Sequence, residues 1–338
     1  MCNPPLAWAV LNGHEEVVKI LLGREDIDPN KPGYKLQSPL ALAARRGCAG
    51  VVKMLLERDD IDPNRPDNGG HTPLWHAVRR GREAIVKLLL EREDVNPDTP
   101  NNFIQTPLWW AVLKGHEELV KLLLGRGDVN PNKLSEFGET PLYCAADNGH
   151  EGVVEILLER DDVNPNEPNE DNQTPLCGAA LNGHEGVVNI LLGQGSVNPN
   201  KPDKDGHTPL WWAARSGKEG VVKLLLGRDD IDPDKPNKHG ETPLNCAACA
   251  GHEGVVKLLL GRDDVNHNEP DECGRTPLWW AACNGNKRVV EILLEQEGIN
   301  PDKPNMHGRT PLWWATKNGH TGVIALLQPL TSTAHNTA

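Results

Sequence analysis

Thr208-Pro209-Leu210-Trp211-Trp212-Ala213-Ala214-Arg215-Ser216-Gly217, followed by Val221-Val222-Lys223-Leu224-Leu225-Leu226, decides how the whole chain reads. The threonine offers an N-cap hydroxyl, and the proline stands at the first helical position, where its missing N–H forfeits no helical bond. A short helix therefore starts at Pro209 and stops before Gly217, and the second apolar run predicts another. The stretch from Gly227 to Gly240 carries Pro233 and Pro236 and cannot be helical. Its Asn237-Lys238-His239-Gly240 end has the chemistry of a tight turn, so the expectation is a projecting β-hairpin finger.

Outward from this unit, the Thr-Pro-Leu step or a close variant recurs every 34 residues, with its leucine at Leu6, Leu40, Leu74, Leu108, Leu142, Leu176, Leu210, Leu244, Leu278 and Leu312. Ten copies fill residues 1–330 as a single array, the first and last atypical. Gln328-Pro329 is expected to stop the last helix, and residues 331–338 read as a disordered polar tail. One helix pair cannot bury its apolar stripe alone. Stability then becomes a sum of neighbour interfaces, which predicts an all-α solenoid of ten stacked helix pairs.

Composition agrees with many small units rather than a few large cores. Ten Trp, 28 Pro and 33 Gly stand beside only two Phe and two Tyr among 338 residues. A formal net charge of −13 disfavours nucleic acid and anionic lipid as partners, and no apolar run is long enough to cross a membrane. The eight cysteines lack the paired spacing of a disulfide framework, and no signal-peptide core is visible, so the expected setting is cytoplasmic. Phosphate loop, His-Glu-x-x-His and nucleophile elbow are all absent, and Cys246 with Cys249 has no second close ligand pair. The residues therefore support no enzyme, no metal and no cofactor.

Thr-Pro-Leu-x-x-Ala-Ala, then Gly-His-Glu-x-Val-Val-x-Leu-Leu-Leu, then Asp-Val-Asn resembles the ankyrin repeat over roughly residues 4–327. Tetratricopeptide repeats share the period but spend nearly all of it on helix, whereas about fifteen residues of each copy here are broken by proline. The copies run one residue longer than the usual ankyrin unit. The connection Gly227-Arg228-Asp229-Asp230-Ile231 looks one residue short, and the finger near Pro236 gains two. The Trp-Trp and Asp-Val-Asn-Pro style also resembles long fungal ankyrin arrays, including the sensor ends of NOD-like receptors. The resemblance implies a protein-binding scaffold that grips its partner on a concave surface of fingertips and first-helix faces. It also implies a structural role for His14, His116, His150, His184, His252 and His320.

Comparison of the copies shows where the shared fold leaves freedom. At about 100° per residue, Leu74, Ala77 and Val78 share one stripe, while Trp75, His76, Arg79 and Arg80 are expected on the opposite, free face. Every Trp occupies one of the two positions after the leucine, Tyr143 joins them, and Tyr34, Phe103 and Phe137 are placed at fingertips. Such aromatics suit binding hot spots, although Trp at those positions can equally pack between copies. Four copies lack Trp altogether, which favours the surface placement.

The expected contact centre runs through the third to seventh copies, with Phe103, Trp109, Trp110, Leu113, Phe137, Tyr143, Asp147, Leu181, Trp211, Trp212 and Arg215. Nearer the start, Arg45, Arg79 and Arg80, with Arg46 and Arg82, would suit an acidic stretch of a partner. Cys177 and Gly178, small residues flanked by Trp pairs, suggest a hollow, and with it the alternative of a small-molecule or ligand sensor. The first copy opens at Pro4-Pro5-Leu6 without a polar cap and would expose Trp8 and Val10, which suggests a preceding domain or self-association there.

Overall fold

The computed structural model describes residues 3–331, without the side chains of Tyr34 and Thr331. These residues form twenty α-helices in ten pairs, one short 3-10 turn and no β-strand among the described residues. They divide into two compact units. The first holds the described residues up to Ala145 together with His150–Asn164, and the second holds Ala146–Gly149 and those from Pro165 onward.

Within the first unit, helices Pro5–Asn12, Pro39–Arg46, Pro73–Arg79 and Pro107–Leu113 pack side by side. Helices Glu15–Leu22, Ala49–Leu56, Glu83–Leu90, Glu117–Leu124 and Glu151–Leu158 form a second row behind them. The second unit repeats the arrangement from Pro175–Asn182 to Pro311–Asn318 and from Glu185–Gly193 to Thr321–Thr331. Leucine, valine and alanine fill the space between rows: Leu74, Ala77, Val86 and Leu89 are all buried, as are Leu210, Ala213, Val222 and Leu225. Removing the outer atoms of one such leucine leaves a cavity and costs about 2–5 kcal/mol.

Short helices need their ends satisfied, and each copy does so in two ways. Thr72 and Thr208 accept the N–H of Trp75 and Trp211 at 3.1 Å each, and Ser38, Thr106 and Thr276 act alike. The second helices have no side-chain cap of this kind. Before four of them, a histidine reaches the preceding copy instead. His150 Nε2 lies 3.1 Å from the Leu113 carbonyl, and His184 Nε2 lies 3.0 Å from that of Asp147. A carbonyl can only accept, so Nε2 carries the proton.

Polar ladders run from copy to copy behind the fingers. Asn64 Nδ2 donates to the Asp94 carbonyl at 2.6 Å, while Asn64 Oδ1 accepts from the Asn96 N–H at 2.7 Å. Asn30, Asn200 and Asn268 bridge in the same way, so one carboxamide satisfies a donor and an acceptor thirty-odd residues on. Beside this ladder, Arg58 holds Asp60 through Nε and Nη2 and donates from Nη1 to the Leu22 carbonyl at 2.8 Å. Arg92, Arg228 and Arg262 cap the second helix of the preceding copy likewise.

Three expectations are corrected. The fingers are hairpin-like loops without strands among the described residues: a short pair of backbone bonds, such as Asp203 N–H to His207 O at 3.0 Å and Gly206 N–H to Asp203 O at 3.1 Å, closes the loop. The side chain at its base then takes the turn amides; Asp203 Oδ1 accepts from the N–H groups of Asp205 and His207, both at 2.9 Å. These bonds satisfy the amides that a ladder would use, and prolines nearby remove others. The last helix does not stop at Gln328 but continues through Pro329 to Thr331. Proline this close to a helix end forfeits only one terminal bond. Trp8 is exposed as expected, but Val10 is buried. Except for Thr331, the tail expected at residues 331–338 lies outside the described residues.

Candidate functional site

The two positions after the leucine do not share one fate. The first is buried wherever a copy follows it: Trp75 is 1% exposed, Tyr143 5%, and Trp109 and Trp211 6% each. This corrects their expected place on a free face. The side chain at this position wedges between copies. The Trp75 ring lies 5.4 Å from that of Trp110 one copy on, and Trp279 Nε1 donates to the Arg309 carbonyl at 3.2 Å. Cys177 and Asn245 are equally buried, so the copies without Trp vary inside the core.

Trp110 and Trp212, at the second position, are half-buried, as are Arg45, Leu113, Asp147 and Leu181. Arg79, Arg80, Phe103, Phe137 and Arg215 are exposed. Of the expected contact residues, those from Arg45 to Tyr143 belong to the first unit, and Asp147, Leu181, Trp211, Trp212 and Arg215 to the second.

The finger is tied to this surface through the residue at its base. Asp203 Oδ2 accepts from Trp212 Nε1 at 3.0 Å, and Asp271 Oδ2 accepts from Trp280 Nε1 at 3.2 Å. In the third copy a histidine replaces the indole: His76 Nε2 lies 3.0 Å from Asp67 Oδ2, and His71 Nδ1 3.0 Å from Asp67 Oδ1. Burial opposes the Asp67 charge, but hydrogen bonds from Gln37 and from the His71 and Gly69 amides hold its pKa down at about 2. Burial lowers the His76 pKa to about 4, partly offset by Asp67, and lowers that of His71 in the same direction. The Asp67, His71 and His76 donor atoms lie within 4.8 Å of one another, a spacing compatible with a metal. Since indoles fill the same role in other copies, the cluster is read as the hydrogen-bonded root of a finger.

Two recesses open on the first-helix side. In the first unit, one of about 190 Å³ is lined by Lys35, Asn68 and Gly69 from the fingers and by Arg45, Arg79 and Arg80 from the helices, with His76 and Asp67 behind. In the second unit, one of about 230 Å³ lies between Trp211 and Trp280, beside Asn245, Cys246, Cys249, Arg215 and Glu241. The hollow expected at Gly178 is taken up: an added Cβ there would stand 3.1 Å from Asp147 Oδ1. Small residues flanked by Trp do leave a recess, but at the Asn245-Cys246 copy.

Sequence reasoning missed a feature of the fingertips. Gly70, Gly138, Gly206, Gly240, Gly274 and Gly308 occupy one turn position with φ between 67° and 88°. Leu36, Ile104 and Asn172 hold that position at φ 59°, 60° and 59°. Aspartate and asparagine tolerate this conformation, but a β-branched residue there is strained. The signal was legible in the 34-residue register, where an aliphatic side chain replaces a recurring glycine.

No curated protein matches the chain significantly. A family model described as ankyrin repeats (3 copies) matches residues 6–101, 40–133, 108–203, 176–271 and 254–336. With nearly the whole chain matched and paired short helices stacked within each unit, the chain belongs to the ankyrin-repeat family.

Proposed function

We propose that this chain is a recognition module that holds a protein partner against its fingertips and the exposed side of its first helices. Ankyrin repeats are generally protein–protein interaction modules. The observation that carries the reading is the recess in the first unit, where finger residues Lys35 and Asn68 and helix residues Arg45, Arg79 and Arg80 form one continuous wall. Arg79, Arg80, Phe103 and Phe137 in the first unit, and Arg215 in the second, offer exposed charge and apolar area for contact. Trp110, Trp212, Leu113, Asp147 and Leu181 add half-buried edges, while Trp109, Tyr143 and Trp211 support the surface from beneath. Enzymatic chemistry has no place in this reading, and no helix among the described residues is long and apolar enough to cross a membrane.

The test is retention of partners from a lysate by the full chain and by a variant carrying Arg80→Glu, Phe103→Ala, Phe137→Ala and Arg215→Glu. The variant should melt like the parent and lose the partner, since every altered residue is exposed. Retention of the same partner by a folded variant would contradict the reading. The recess beside Asn245 favours a second reading, a small ligand in the second unit, because the Asn245 Oδ1 acceptor is buried there without a partner. A compound that raises the melting point of the parent but not of Cys246→Trp would support it, and a screen yielding none would dismiss it.

A further inference from the structure

The basic recess of the first unit is unusual for a chain with net charge −13. No carboxylate stands within ion-pair distance of Arg45, Arg79 or Arg80 among the described residues. The one acid in the recess, Asp67, is already taken by Gln37, His71, His76 and two backbone amides. Arg79 also lies over the rings of Trp75 and Trp110, 5.3 Å from each centroid, which holds its charge at the mouth.

Exposed apolar residues adjoin the lining of the recess on two sides. Lys35, on one edge, is followed by Leu36, which is 58% exposed at positive φ. On the other edge, Asn102 donates from its backbone N–H to the Gly69 carbonyl at 3.0 Å and from Nδ2 to the Asn68 carbonyl at 3.2 Å. That pairing fixes Phe103 and Ile104 beside the recess, 57% and 51% exposed. A strained aliphatic residue standing in water gains nothing for the fold, since glycine serves the same turn in six other copies. At the corresponding tips of the second unit stand Asp171, Asp205, His239, Cys273 and His307, four of them polar.

Resting on the protein-binding reading above, we propose that this recess receives an acidic segment of a protein whose carboxylates meet Arg45, Arg79 and Arg80 and whose apolar side chains lie on Leu36, Phe103 and Ile104. Three unpaired guanidiniums select anionic groups, and the flanking aliphatic and aromatic tips select apolar side chains interleaved with them. A nucleic acid would find the charges and could stack a base on Phe103, but it has no use for the aliphatic Leu36 and Ile104 and meets the repulsion of the whole chain.

The probe is a random phage-displayed dodecapeptide library selected on the immobilised full chain, followed by affinities of the enriched peptides. The inference predicts sequences in which Asp or Glu alternates with Leu, Ile or Phe. Their binding should weaken about tenfold or more in a variant carrying Arg45→Gln and Arg80→Glu, and should weaken as salt rises. Ile104→Gly supplies a variant that cannot fail by unfolding: relief of the strained turn should raise the melting point while affinity falls.

Enrichment without acidic bias, or no enrichment, overturns the inference, as does equal binding by the arginine variant. Equal affinity for single-stranded DNA of matched charge overturns it too, because the aliphatic tips would then contribute nothing. If the inference fails while the full chain still retains a lysate protein through its exposed first-helix residues, only the partner class is lost. If the exposed-residue variant also retains that protein, the protein-binding surface fails with it.

Discussion

Asp98 and Asp234 show what one atom does in a repeating structure. Both stand where Asn30, Asn64, Asn200 and Asn268 bridge successive copies. Their Oδ2 atoms still accept, from the N–H groups of Asn130 and Asn266 at 2.9 and 2.7 Å, but each Oδ1 is buried without a partner. Burial raises both carboxyl pKa values, with only part of the shift offset by the accepted amide bond. A carboxyl whose pKa is raised in the fold weighs against stability above that pKa and is relieved as the proton binds at lower pH. Asp98→Asn or Asp234→Asn should therefore stabilise by about 1 kcal/mol at neutral pH, by restoring a donor where a buried acceptor stood unsatisfied. Chemical denaturation at several pH values should show the gain shrinking toward about pH 4.

The indole nitrogens lead to a related expectation. Trp212 and Trp280 find an aspartate at the finger base, whereas Trp110 and Trp314, beside Asn101 and Asn305, have buried Nε1 atoms without a partner. Asn101→Asp should give the Trp110 indole an acceptor and stabilise by about 1 kcal/mol at neutral pH. An unchanged melt would show that the ring sits out of reach. His76, in turn, is neutral in the fold with a pKa near 4. The unfolded chain binds its proton first, so this group's contribution is full above about pH 6.5 and is lost as pH falls toward 4. His76→Gln should flatten the pH dependence of the melt in that window.

At the scale of the element, the sequence was easiest to read where one residue fixes local geometry. Thr-Pro at most first-helix starts and the apolar stripe placed the helices apart from the end of the last, because N-cap chemistry and a period near 3.6 are local properties. Thr208→Ala should cost about 1 kcal/mol by freeing the Trp211 N–H, measured by denaturation. The burial of the first residue after the leucine was not legible. Angular position on an isolated helix puts Trp75 about 100° from Leu74, outside the apolar stripe, yet the neighbouring copy covers that side as well. The fingers escaped for a similar reason: turn chemistry marked their tips, but the side-chain bonds from Asp203 or Asn101 that stand in for strand pairing depend on the folded loop.

For the whole molecule, the candidate site was half legible. The arginine cluster Arg45, Arg79 and Arg80 was visible because charges this close in register stand out from an acidic chain. The recess that joins them to Lys35 and Asn68 needed the fingers in place, whereas the aliphatic residues Leu36 and Ile104 already stand out in the 34-residue register. The aromatic and charged residues therefore divide into a buried set that holds copies together and an exposed set that is proposed to meet a partner.

Hydrogen exchange of the full chain with and without a retained partner tests that division most directly. The account predicts added protection at residues 35–36, 68–70 and 102–104 and at the end of the helix Pro73–Arg79, with the second helices unchanged. Protection confined to the outer faces of Glu83–Leu90 and Glu117–Leu124 would contradict it, because the partner would then sit on the side opposite to the fingers.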